Sequence, residues 1–195
     1  MSVKKLKLNV QDQNLNSRKS YPLLVLLYIG LVIFSIVIGF QIDSLQENLT
    51  GLGWKNHHFW QMAFYCLYAC GYDGFLAWSV LKHYGYNKQA KLSCLCWGLM
   101  VLGALIPWTD PQLQATLDLH TLVCTGAIAA NGLLWLWIYT RALGEIQLRQ
   151  AAAGVTACLV FSLLLFGMSG CVSYLCEAFY VLGTGLVLLA SKKTG

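Results

Sequence analysis

Four polar side chains stand in mostly apolar stretches of this chain, where such residues usually have a specific role. They are Asp73, His120, Asn131 and Glu177. At membrane depth, ionisable groups are costly, are usually paired and usually face the interior of a helix bundle. Imidazole and carboxyl groups bind metal ions or transfer protons, and an amide joins neighbouring helices or binds a polar ligand group. We therefore expect all four to contact a ligand, while a purely structural role stays open for each.

Helical spacing places further residues beside these four. At 100° per residue, His120 and Asn131 lie within about 20° of one another on one helix face. A helix through residues 58–73 places His58, Tyr72 and Asp73 on one broad face. These two faces, together with Glu177, predict an interior polar cavity. We also expect His120 and Glu177 to approach one another, because both lie near the outer ends of their apolar stretches.

A metal site is the catalytic alternative for the same region. The residues of suitable type are His120, His58, Asp110, Asp118 and Glu177. Catalytic zinc needs three protein ligands and one open position, where it activates water for hydrolysis. The sequence contains neither HxxxH nor HExxH, which are common spacings for two histidine ligands. A metal-dependent hydrolase acting on lipid at the outer leaflet is therefore the weaker reading.

The elements that must position these residues are membrane-spanning helices. The 195-residue chain is 57% hydrophobic and 11% charged, against about 25% charged residues in an ordinary soluble domain. Apolar stretches of about 20 residues are long enough to span a bilayer. We predict an all-α, polytopic membrane protein, a bundle of six transmembrane helices. The predicted spans cover about residues 22–40, 58–81, 92–106, 117–139, 151–168 and 171–190.

The basic residues give this predicted bundle an orientation. Of the 13 Lys and Arg residues, 12 fall on one side of six alternating spans, and Lys55 alone falls on the other. Basic residues near the ends of spans mark the cytoplasmic side. We therefore expect a basic cytoplasmic arm at residues 1–20, flexible or lying on the membrane surface, a transmembrane domain at 21–191 and a cytoplasmic tail at 192–195. The plasma (inner) membrane of a bacterium is the expected location.

The same features narrow the function. The net charge of +5 comes mainly from segments that we place beside anionic lipid headgroups, so we expect membrane lipids as partners and no nucleic acid. A second membrane protein subunit is the other partner considered, and no cofactor is expected. The favoured hypothesis is a non-enzymatic protein whose outward-facing polar cavity binds a lipid, an amphiphile or a protein segment. The second alternative, after hydrolysis, is proton-coupled transport of a small molecule through Asp73 and Glu177.

Short motifs resemble one known group. The segments 48–53 (NLTGLG), 106–107 (IP), 119–120 (LH) and 176–178 (CEA) are similar to those of the six-span DRAM/FRAG-like membrane proteins and a related bacterial family of unknown function. The resemblance implies a membrane protein without an established catalytic activity. It favours His120 and Glu177 as site residues, with Thr50 and Gly53 supporting the outer loop. The chain departs from the DRAM branch because Ala178 and Phe179, and no tryptophan, follow the acidic residue.

Overall fold

The computed structural model describes residues 3–54, 57–106, 114–169 and 172–194, and gives side chains for residues 20–54, 57–106, 119–169 and 172–192. Within these residues it contains α-helices and no strand, so the prediction of an all-α fold is confirmed. The seven helices are α1 (Val3–Gly39), α2 (Leu49–Trp54), α3 (Phe59–His83), α4 (Asn87–Ala104), α5 (Gln114–Arg141), α6 (Ile146–Ser169) and α7 (Tyr174–Thr194).

Four of the helices are long and apolar enough to cross a bilayer. The crossing segments are Ser20–Gly39 of α1, Leu119–Arg141 of α5, Ile146–Ser169 of α6 and Tyr174–Lys192 of α7. The chain is therefore compatible with a membrane protein, and the count of six spans stays a prediction. The two remaining long helices are more polar. α3 contains Asp73, Gln61 and several tyrosines, and α4 begins with the polar sequence Asn-Lys-Gln.

Five helices form a ring, and α1 lies outside it. Consecutive helices from α3 to α7 contact one another, and α7 closes the ring against α3. α1 packs against both α3 and α7, and the short helix α2 packs on α3. α3 is thus surrounded by α1, α2, α4 and α7. This position places Asp73, Tyr65 and Tyr72 of α3 in the protein interior.

Several predicted boundaries differ from the structure. α1 continues through most of the predicted arm, so residues 3–20 have helical backbone. α4 and α6 each begin five residues before the predicted membrane spans, at Asn87 and Ile146, because basic residues occupy exposed first turns of these helices. α2 lies within the predicted outer loop. Its two glycines disfavour helix in isolation, and a sequence pattern alone does not predict it.

The two ends of the bundle differ in chemistry. We call the end that carries α2 the α2 end, and the end where α3 joins α4 and α5 joins α6 the basic end. Phe40 and Trp60 at the α2 end are 88% and 83% exposed, and Trp is typical of membrane interfaces. Between the ends, large apolar side chains from every long helix are exposed on the outer surface of the bundle. Such a continuous apolar surface fits contact with lipid.

Glycines allow the closest helix contacts. A Cβ atom on Gly154 of α6 would lie 2.7 and 3.0 Å from the two methyl carbons of Val187 on α7. A Cβ on Gly103 of α4 would overlap the sulfur of Cys124 on α5. Small residues drive association of membrane helices because they let the backbones approach. The Gly and Ala content of these helices therefore sets their spacing.

We expect Gly154→Ala to destabilise the protein by about 1 to 3 kcal/mol, because Val187 is β-branched and cannot rotate both methyl groups away. The measurement is the free energy of unfolding in detergent micelles, titrated with a denaturing detergent. Gly167→Ala on the same helix is the matched control, since its Cβ would meet nothing within 4 Å. Equal effects of the two substitutions would contradict the close α6–α7 contact.

Candidate functional site

The loop before α2 is fixed to the start of α7 by Glu177. The Leu49 backbone N–H donates to Glu177 Oε2 at 2.7 Å. Asn48 caps the same helix, since its Oδ1 accepts from Gly51 N–H at 2.8 Å. In return, the N–H groups of Tyr174 and Leu175 donate to backbone carbonyls of the loop at 2.6 and 3.0 Å. Glu177 therefore closes the bundle at the α2 end, with its carboxylate partly buried.

His120 is buried between α5 and α4. Its Nδ1 lies 2.8 Å from the carbonyl oxygen of Gly103, the next-to-last residue of α4. Since the carbonyl can only accept, Nδ1 carries the proton in this contact. The hydrogen bonds described for His120 and Glu177 run to Gly103 of α4 and to Leu49 of α2. Their expected approach thus stays a prediction, and each side chain is attached to a different helix.

Asn131 joins three helices of the ring. Its Oδ1 accepts from the Ser93 hydroxyl of α4 at 3.0 Å, and its Nδ2 donates to the Tyr180 hydroxyl of α7 at 2.9 Å. All three side chains are buried, and the Trp97 ring stacks on Tyr180 with centroids 5.7 Å apart. Both ends of the amide are therefore engaged with protein. The geometry assigns Asn131 to contacts between helices, and a ligand contact by this residue stays a prediction.

Asp73 has a different environment. Its side chain is 0% exposed, and neither carboxyl oxygen has a hydrogen-bond partner among the described residues. The carboxyl packs directly on α7, because a Cβ on Gly185 would lie 2.7 Å from Oδ1. The rings of Tyr28 and Tyr72 border the same point. Of the predicted ligand-binding residues that the structure describes, Asp73 is the one whose polar atoms are buried and unpaired.

The structure does not assemble the predicted metal ligands within the described residues. No group of three or more His, Cys, Asp or Glu side chains is placed to hold a metal ion there. His58 is exposed just before α3, and His120 contacts the Gly103 carbonyl. Asp110 and the side chain of Asp118 lie outside the described residues. A hydrolytic metal centre consequently gains no support from the described part of the chain.

Tyrosine hydroxyls attach α1 to the ring. Tyr72 donates to the Leu24 carbonyl at 3.0 Å, and Tyr68 donates to the Leu27 carbonyl. In the opposite direction, Tyr28 of α1 donates to the Leu182 carbonyl of α7 at 2.9 Å. A helical carbonyl has a second lone pair free for such a bond. Tyr72 was predicted to bind a ligand; its hydroxyl donates to α1, and the ligand contact stays a prediction.

An apolar groove runs between α1 and α3 toward the basic end. Its volume is about 480 Å³, which lies within the range of small-molecule sites, about 300 to 1,000 Å³. Gly71 widens the groove, because a Cβ atom at this position would have no neighbouring atom within 4 Å. The hydroxyls of Tyr68 and Tyr72 are turned to α1, so the walls are almost purely apolar. The groove is lined by Ser20, Leu23, Leu24, Leu27, Leu67, Tyr68, Gly71, Tyr72 and Phe75.

Comparison with known proteins places the chain in no group. No family model, curated protein or solved structure matches it. The resemblance to the DRAM/FRAG-like membrane proteins thus stays an expectation drawn from short motifs. The site has to be interpreted from its own geometry.

Sequence reasoning missed the residues that complete these contacts. Ser93 and Tyr180 bind Asn131, and Tyr68 borders the groove. Helical spacing gives some signal for Tyr68, which lies one turn from Tyr72 on α3. Nothing comparable identifies Leu49, because its contribution is a backbone N–H that any residue supplies. The partner of Glu177 is therefore visible only in the tertiary structure.

We expect Glu177→Ala to destabilise the α2 end by about 1 to 3 kcal/mol, because the buried Leu49 N–H loses its acceptor. Glu177→Gln keeps an oxygen at this position and should lose less. Hydrogen–deuterium exchange of peptides covering residues 44–54 measures the effect directly. Glu145→Ala is the control, since Glu145 is exposed at the other end of the bundle. Unchanged exchange in Glu177→Ala would show that the capping contact does not hold α2.

Proposed function

We propose that this chain is a non-enzymatic integral membrane protein of six spans that binds a phospholipid in the groove between α1 and α3. The observation that carries the proposal is the groove itself. Leu23, Leu67 and Phe75 in its walls are each more than half exposed, and their apolar surface must be covered when the chain is in a bilayer. An acyl chain supplies that cover without displacing water from polar groups.

The count of six rests on the number and order of the long helices. Six helices of 18 residues or more alternate in direction around the bundle, counting α3 and α4 with the four apolar ones. α3 has the weaker apolar signal because it is surrounded by α1, α2, α4 and α7, so its polar residues need not face lipid. The helix ends at the basic end then carry Lys82, Lys88, Arg141 and Arg149, as expected for the cytoplasmic side.

The position of the groove favours an anionic lipid of the cytoplasmic leaflet. It extends from Ser20 to Leu27 on α1, beginning at the basic end of the bundle. Arg18 and Lys19 directly precede it in the sequence. Each basic residue near an anionic membrane surface contributes about 1 kcal/mol of attraction. We infer that the acyl chain lies in the groove and the headgroup lies at the level of these two residues.

The other predicted functions receive different support. A metal-dependent lipid hydrolase has no assembled ligand set among the described residues. An outward-facing polar cavity would need free polar groups, yet the polar atoms of Asn131 bond to neighbouring helices, His120 to Gly103 and Glu177 to Leu49. Binding on the lipid-facing surface is therefore the form of the favoured hypothesis that the geometry supports best. One observation supports proton-coupled transport, namely the unpaired carboxyl of Asp73.

The orientation is tested with reporter fusions. Fusions after Gly85, Gly144 and Gly195 should fluoresce with a protein that folds only in the cytoplasm, and a fusion after Asp43 should be active with a phosphatase that works only outside. These positions lie in the connections between long helices or at the end of the chain. Phosphatase activity after Gly144 would overturn the proposed six-span orientation.

Filling the groove should displace the lipid. Gly71→Leu places a side chain into open space, so it blocks the groove without a clash in the protein. We expect about a tenfold weaker retention of phosphatidylglycerol, equivalent to about 1.4 kcal/mol, measured by native mass spectrometry. Gly167→Leu is the matched control, since it also points into open space but lies on α6. Equal retention by both variants would reject the groove as the binding site.

Phosphatidylcholine tests recognition of the headgroup separately from binding of the acyl chain. We expect the wild-type protein to retain it less than phosphatidylglycerol, because the zwitterionic headgroup lacks a net negative charge. Equal retention of the two lipids, with Gly71→Leu still defective, would confirm the acyl-chain groove and reject recognition of the headgroup.

A further inference from the structure

The carboxyl of Asp73 lies deep in the bundle, and neither of its oxygens has a hydrogen-bond partner in the described part of the chain. It lies near the middle of α3, where α7 and α1 meet that helix. An ionised carboxylate transferred to such a place loses its hydration, and it is retained only with a cation or several hydrogen-bond donors. Neither is present among the described residues. The negative charge must therefore be neutralised in another way.

Where side chains are described, the ionisable groups around Asp73 supply no positive charge. Tyr28 faces it from α1, Cys158 from α6, Tyr180 from α7, and Cys70 and Tyr72 from its own helix. Tyr28 and Tyr72 donate their hydroxyl protons to backbone carbonyls elsewhere. Lys192, seven residues after Gly185 on α7, donates to the Ser79 hydroxyl and lies over the Phe75 ring. None of these groups compensates a carboxylate.

The space at the carboxyl limits what can bind there. On the α7 side, Asp73 Oδ1 is so close to Gly185 that a methyl group does not fit between them. A metal ion with its ligands, or a hydrated cation, needs more room than this and several oxygen ligands. A proton needs no additional volume. Because the contact with Gly185 is so close, the proton is the cation that fits at this carboxyl.

We propose that Asp73 is a proton-binding site within the membrane, and that release of this proton weakens the packing of α7 against α3. Binding forms one O–H bond on a carboxyl oxygen, and release returns the proton to water and leaves a carboxylate. The neutral acid fits the tight contact at Gly185, whereas the carboxylate requires water or a donor and so requires α7 to move. This inference does not depend on lipid binding in the α1–α3 groove.

α7 is well placed to transmit such a change. It contains Gly185 at the Asp73 contact, the Leu182 carbonyl that holds Tyr28 of α1, and Glu177 that holds α2. A shift of α7 away from α3 therefore acts on both the attachment of α1 and the α2 end. The coupling provides a physical route from protonation to the outer surface of the bundle.

The first test is the pH dependence of unfolding in detergent micelles. Above about pH 4 an unfolded aspartate is ionised, whereas the folded protein retains the proton, so stability is highest at low pH and falls as the pH rises. Relative to Asp73→Asn, the unfolding equilibrium constant of the wild-type protein should rise about tenfold per pH unit until folded Asp73 loses its proton. Asp43→Asn, at an exposed position in the loop before α2, should behave as the wild type. The same pH slope in wild type and Asp73→Asn would overturn the proposal.

The second test uses the wild-type protein, so it does not depend on the folding of a variant. Infrared spectroscopy in lipid vesicles, with aspartate labelled by carbon-13 at the side-chain carboxyl, reports protonated aspartic acid separately from glutamic acid. At about pH 7, where an ordinary aspartate is ionised, we expect one protonated aspartic band that shifts in heavy water. Absence of that band at this pH would overturn the proposal regardless of the unfolding data.

Discussion

Polar groups within a bilayer have no water to bond with, and this constraint explains most side-chain contacts in the bundle. Each such group needs a partner in the protein. Here the usual partner is a backbone carbonyl of a neighbouring helix, which accepts a second hydrogen bond beside its helical one. Tyr28, Tyr72 and Tyr174 donate to the carbonyls of Leu182, Leu24 and Ser35. These bonds run between α1, α3 and α7 and determine where α1 lies against the ring.

The same requirement fixes the ring and the α2 end. Asn131 connects α4, α5 and α7 through Ser93 and Tyr180, and His120 connects α5 to the end of α4. Glu177 connects α7 to the short helix α2. Because lipid offers no hydrophobic drive for helices to associate, such polar bonds and glycine contacts carry the specificity of packing. Residues that resemble a binding site in the sequence therefore join neighbouring helices, and we propose the lipid-facing groove as the binding surface.

Asp73 is the one buried carboxyl among the described residues whose oxygens both lack a hydrogen-bond partner, and this has a structural cause. The neighbouring hydroxyls of Tyr28 and Tyr72 donate to backbone carbonyls, and Gly185 leaves no room for another group on the α7 side. Most other interior polar groups of the described residues are paired. Because the unpaired Asp73 carboxyl lies against Gly185 of α7, a change in its charge would act on the α3–α7 interface. The lipid groove and Asp73 share α3, with Tyr72 bordering both. The proposed proton site and the proposed lipid groove thus lie on opposite sides of one helix.

The sequence alone predicted the helical class, the long apolar helices and the asymmetry of basic residues. It also identified Asp73, His120, Asn131 and Glu177 as inward-facing, because hydrophobic periodicity and the cost of polar groups in lipid are local properties of a helix. Local spacing does not say which helix is the neighbour. Glu177 and Leu49 are separated by 128 positions in the chain, and Tyr28 and Leu182 by 154. Only the tertiary structure decided these pairs, the glycine-containing helix α2 and the groove between α1 and α3, since each depends on the relative placement of distant helices.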